Sequence, residues 1–62
     1  MKYYINTDTE IGTWIYRWDG DNMEYHLNGG WHLSEIFTNP AGELGKEQLI
    51  EISYTDVILE LL

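Results

Sequence analysis

Apolar and polar residues alternate through the first half of the chain, and short clusters of turn-forming residues interrupt the alternation. A period of two puts successive side chains on opposite faces of a strand. The pattern therefore predicts strands over 2–6, 12–18, 23–27 and 31–34. The interruptions are Thr7-Asp8-Thr9-Glu10, Asp19-Gly20-Asp21-Asn22 and Asn28-Gly29-Gly30. Such residues supply left-handed backbone or bond their own main chain in turns.

Register follows from pairing. Folding at Gly20-Asp21 sets Trp18 opposite Met23, Tyr16 opposite Tyr25 and Trp14 opposite Leu27. Between them, Arg17 meets Glu24 and Ile15 meets His26. A slip by one residue would break both the apolar and the charged matches. A three-residue loop from Asn28 to Gly30 extends the pattern, with Leu27 opposite Trp31 and Tyr25 opposite Leu33. A first turn through Thr7 to Glu10 sets Tyr3 against Trp14.

One face of this meander then carries Tyr3, Ile5, Trp14, Tyr16, Trp18, Met23, Tyr25, Leu27, Trp31 and Leu33. The other carries Lys2, Tyr4, Thr13, Ile15, Arg17, Glu24, His26, His32 and Ser34. A one-sided sheet needs a cover. Tyr54, Val57, Ile58 and Leu61 supply one, falling at i, i+3, i+4 and i+7 of a helix. Ser53 and Asp56 stand at capping-box spacing, and Ile52 and Val57 occupy the two positions of a hydrophobic staple.

The expected fold is thus α+β: a four-stranded antiparallel β-meander with one aromatic face covered by a short C-terminal helix. The chain reads as a single small domain over 1–62. Residues 1–34 form the meander, and 35–48 form an irregular linker around the turn at Asn39-Pro40-Ala41-Gly42. Residues 49–62 form a short strand or turn followed by the helix.

At 62 residues without cysteine, neither disulfides nor thiolate metal sites can staple the fold. Three Trp, five Tyr and one Phe offer large apolar area instead. Eleven acidic side chains against Lys2, Arg17 and Lys46 give a net charge of −8. That balance opposes direct binding of nucleic acid or anionic membrane and favours a basic partner. The apolar runs are too short to span a bilayer and no leader pattern opens the chain, so a soluble, cytoplasmic protein is expected.

Candidate chemistry is sparse. Glu43, Glu47 and Glu51 recur every four residues, and Asp19, Asp21 and Glu24 cluster around the second turn. These six are the candidate partner-binding carboxylates, since a spaced row of acids can stand in for nucleic-acid phosphates. Gly42 and Gly45 oppose a helix there, and a solvated face explains the same spacing. Trp14, Trp18 and Trp31 are candidates for stacking on a carbohydrate or peptide, although the covered face makes them core residues first.

His26 and His32 come out as cross-strand neighbours with Glu24 diagonal, a set too small for a convincing metal site. No metal or other cofactor is expected. The stretch 19–24 lacks the glycine and distant glutamate of a calcium loop and reads as a turn. No phosphate loop is present, no Ser or Thr has an evident base, and the chain is too short for a deep pocket, so no enzyme is expected.

The leading expectation is a small acidic protein-binding module, an inhibitor that mimics nucleic-acid charge and blocks a basic DNA- or RNA-binding surface. Small acidic inhibitors of phages and mobile elements act in this way, and the likeness is one of size and charge alone. Two alternatives stand beside it. One is an aromatic-platform module for carbohydrate or peptide. The other is a homo-oligomeric assembly subunit, pairing as a homodimer through leftover apolar surface.

Overall fold

A computed structural model describes residues 1–6 and 12–61. Strands β1 (Lys2–Asn6), β2 (Ile15–Trp18), β3 (Met23–Leu27) and β4 (Gly30–Leu33) form a meander. Strand β5 (Leu49–Ile52) pairs with the free side of β1, giving a five-stranded antiparallel sheet ordered β4-β3-β2-β1-β5. Helix α1 (Glu43–Gln48) precedes β5 and helix α2 (Tyr54–Leu61) follows it. The fold is α+β with a short C-terminal helix, as the periodicity predicts. Residues 49–52, expected as a short strand or turn, form a fifth strand beside the four of the meander, and the segment expected to be irregular over 35–48 contains α1.

The central hairpin holds its expected register, with Tyr16 opposite Tyr25, Arg17 opposite Glu24 and Trp18 opposite Met23. Its turn is built by Asp19, whose Oδ1 accepts from the N–H groups of Asp21 (2.7 Å) and Asn22 (2.6 Å). Gly20 turns the chain at φ +107°, a region side chains rarely adopt.

The third hairpin departs from expectation. Asn28 (φ 52°) and Gly29 (φ 79°) are both left-handed, the requirement of a two-residue type I′ turn whose twist matches its strands. Leu27 therefore pairs with Gly30, His26 with Trp31, Tyr25 with His32 and Glu24 with Leu33. The loop is two residues long rather than three. One residue fewer sends every β4 side chain to the opposite face.

The first hairpin also differs: Tyr3 pairs with Arg17, Tyr4 with Tyr16 and Ile5 with Ile15, so Tyr3 does not oppose Trp14. Asn6 sets the junction. Its buried side chain donates from Nδ2 to the Gly12 carbonyl (2.7 Å) and accepts at Oδ1 from the Trp14 N–H (2.6 Å). These bonds tie residues 12–14 to the end of β1. The turn expected through Thr7 to Glu10 lies outside the described residues.

The sheet is consequently two-sided, which corrects the expectation of a single aromatic face. Tyr4, Tyr16, Trp18, Met23, Tyr25 and His32 share one face, and Tyr3, Ile5, Ile15, Arg17, Glu24, His26 and Trp31 share the other. Because β4 and β5 lie at opposite edges, the chain between them must cross the sheet. Phe37, 2% exposed, packs with Tyr4, Tyr16 and Met23, so the crossing runs over the first face. Ser34 starts it, donating its N–H to the Met23 carbonyl (2.8 Å) and accepting the Phe37 N–H at Oγ (3.2 Å).

Helix α1 sits tightly on this crossing. A Cβ added to buried Gly45 would lie 2.7 Å from the Asn39 carbonyl oxygen and 3.0 Å from Pro40 Cα. Close approach of backbone explains a glycine that helix propensity disfavours. Gly45→Ala should gain about 1 kcal/mol of propensity and lose about 1–3 kcal/mol to overpacking. A net fall in the urea midpoint is expected, and a rise would mean that the crossing yields to the methyl group.

Helix α2 begins as the capping box predicts. Ser53 Oγ accepts the Asp56 N–H (3.1 Å), while Asp56 Oδ2 accepts the Ser53 N–H (3.2 Å). The Tyr54 ring lies 5.5 Å from that of Tyr3, which seats the start of α2 against the second face. Of the predicted apolar stripe, Val57 is buried, whereas Tyr54, Ile58 and Leu61 remain exposed.

Candidate functional site

Two clefts open beside the crossing segment. The first, of about 610 Å³, is lined by Met1, Lys2, Tyr4, Trp18, Asp19, Gly20, Asn39, Pro40 and Ala41. The second, of about 530 Å³, is lined by Trp14, Tyr16, Tyr25, Leu27, Leu33, Ser34, Glu35 and Ile36. Both lie within the size range of small-molecule sites.

The second cleft is walled by aromatic rings in contact with one another. Trp14 and Tyr25 meet at 82° with ring centroids 5.8 Å apart, and Tyr25 lies 5.5 Å from the His32 ring. Behind them Tyr16 sets its ring edge-on to Phe37 at 5.2 Å. Burial raises the Tyr16 phenol above its ordinary pKa, so it stays neutral and cannot serve as an anion there.

On the opposite face Trp31 is already engaged. The Arg17 guanidinium carbon stands 4.4 Å from the Trp31 ring centroid, and the His26 ring meets it edge-on at 5.2 Å. Arg17 Nε also donates to Glu24 Oε1 at 2.8 Å. Stacking of this kind contributes about 0.5–1 kcal/mol where solvent reaches it. Trp14 and Trp18 thus line separate clefts while Trp31 holds an arginine on the far side, and the three do not form one platform.

The histidines are separated too. His26 pairs with Trp31 and His32 with Tyr25, so they point to opposite faces instead of lying side by side. The shortened Asn28-Gly29 loop is the cause. Among the described residues no three His, Cys, Asp or Glu side chains come together as a metal site.

The six candidate carboxylates divide in the same way. Glu24 is taken up by Arg17, the one ion pair among the described residues. Asp19 serves its turn: the N–H groups of Asn22 and Asp21 hold its carboxyl below the usual range, so it is charged at neutral pH. Asp21, Glu43, Glu47 and Glu51 are exposed. Glu51 pairs with Tyr4 and shares the crossing face, whereas Glu24 lies on the other. Glu43 and Glu47 fall one turn apart on α1.

Three residues that sequence reasoning passed over shape this surface: Phe37 beneath the crossing, Asn6 at the β1 junction, and Glu35 on the cleft wall. Phe37 is the sole phenylalanine and stands in a segment without clear periodicity, which was its one signal. Among the described residues no helix is long and apolar enough to cross a membrane. No protein-family model, curated protein or solved structure matches this chain significantly.

Proposed function

We propose that the protein is an acidic binding module that engages the basic surface of a partner protein, standing in for the charge of a nucleic acid. The supporting observation is the charge left over after internal pairing. Arg17 is bound to Glu24 and Trp31, which leaves Lys2 and Lys46 as the remaining lysine or arginine charges. Against them stand the exposed carboxylates of Asp19, Asp21, Glu35, Glu43, Glu47, Glu51, Asp56 and Glu60. Such a field attracts a basic protein surface and repels phosphate. This reading assigns the chain no catalytic step and no cofactor.

Capture from cell lysate on immobilised protein tests it at two salt concentrations. Screening lengths shrink from about 10 Å at 0.1 M salt to about 3 Å at 1 M. Basic, nucleic-acid-binding proteins should therefore be retained at low salt and released at high salt. Combined Glu43→Lys, Glu47→Lys and Glu51→Lys should abolish capture without loss of fold, since all three are exposed. Capture that ignores both salt and charge reversal would sink the proposal, as would no capture at all.

A further inference from the structure

The cleft lined by Trp14, Tyr25 and Glu35 has walls and charge that match one class of ligand. Its Trp14 and Tyr25 rings pack edge to face at 5.8 Å between centroids and together form one aromatic wall. Glu35, also in the lining, is exposed and forms no ion pair among the described residues. None of the three basic side chains, Lys2, Arg17 and Lys46, lines this cleft. Arg17 is held on the opposite face by Glu24 and Trp31.

Other ligand classes fit less well. A sugar needs several donors and acceptors for its hydroxyls, whereas Trp14, Leu27, Leu33 and Ile36 make this lining largely apolar. An anion would meet Glu35 and a chain of net charge −8. A neutral apolar ligand would gain nothing from the Glu35 carboxylate on the cleft wall. A weakly hydrated organic cation gains from both the ring faces and the carboxylate.

We propose that this cleft binds an organic cation, an alkylated ammonium or a guanidinium, set against the wall formed by Trp14 and Tyr25 and neutralised by Glu35. Two sources carry that chemistry: a free small molecule with a quaternary ammonium head, and an arginine side chain on a protein. Small-molecule probes report on the cleft alone. Their failure leaves salt-sensitive capture of a basic protein standing, and the converse also holds.

The test titrates the full chain with choline, N-ethylguanidinium and 3,3-dimethyl-1-butanol, the neutral isostere of choline, following the Trp14 indole N–H by NMR. At least one cation should shift that signal saturably and bind about fivefold or more tightly than the isostere, leaving the Trp31 indole unmoved. Glu35→Gln, a change at an exposed position, should weaken the cation and leave the isostere unchanged. Preference for choline supports the proposal with a free ammonium as source, and preference for ethylguanidinium supports it with an arginine. Equal binding of the isostere, no saturable shift, or indifference to Glu35→Gln overturns it.

Discussion

Phe37→Ala is expected to leave the chain largely unfolded at room temperature. Truncating a buried phenylalanine removes about 3–5 kcal/mol, and a chain of this length holds only about 3–9 kcal/mol in all at typical stability per residue. Phe37 is 2% exposed and packs with Tyr4, Tyr16 and Met23, so its loss hollows the layer between sheet and crossing segment. It also removes the edge-on partner of Tyr16 at 5.2 Å. Urea denaturation followed by near-ultraviolet circular dichroism reads the effect directly. Phe37→Leu, which keeps most of the volume, should fold with a lowered midpoint. An alanine variant as stable as the parent would mean that the crossing segment does not rest on the sheet.

Asn6→Ala should cost about 2–3 kcal/mol through an entirely different cause. Among the described residues the side chain satisfies the Gly12 carbonyl and the Trp14 N–H, at 2.7 and 2.6 Å. Each group left without a partner in a buried place costs about 1–3 kcal/mol, reduced here because Gly12 is exposed and water can reach it. Asn6→Asp keeps the acceptor for Trp14 but loses the donor to Gly12, so it should fall between parent and alanine. Hydrogen exchange at the Trp14 amide separates this from a general loss of stability. It should quicken in Asn6→Ala more than exchange at the amides of β3 does. Uniform acceleration would show that Asn6 has no special hold on the junction.

The parts of this fold that were legible in the sequence are those with redundant local signals. In the central hairpin, charge pairing, ring pairing and turn chemistry all specified Trp18 opposite Met23. The start of α2 was marked by Ser53, Asp56 and the staple residues, and the hydrogen bonds follow them. Where one residue of loop length decided the outcome, the pattern misled. Asn28-Gly29 is itself a preferred two-residue turn, and counting Gly30 into the loop reversed the faces of Trp31, His32 and Leu33.

Reversal was hard to detect because both faces of this sheet carry aromatic and polar residues. The register of β1 rests on an asparagine bonding to the Gly12 carbonyl and the Trp14 N–H, contacts with no periodicity to betray them. β5 was ambiguous because Leu49-Ile50-Glu51-Ile52 suits a strand or a helical turn equally, and only β1, distant in sequence, selects the strand. For the candidate site the acids were legible as a total charge. Their distribution was not, because it depends on the same face assignments. Glu35 acquires meaning only from the crossing that brings it beside Trp14 and Tyr25.

The place of β1 between β2 and β5 also bears on how the chain emerges during synthesis. Asn6 finds its neighbour Leu49 only after every intervening residue has been made. At about 5–20 residues per second, making the stretch from the end of β4 to the end of β5 takes about 1–4 s, and until then that outer row of amides and carbonyls has no strand to pair with. Any extended peptide nearby can add to such an edge. A nascent chain arrested before β5 is therefore a sticky template, and release of the finished β5 closes it.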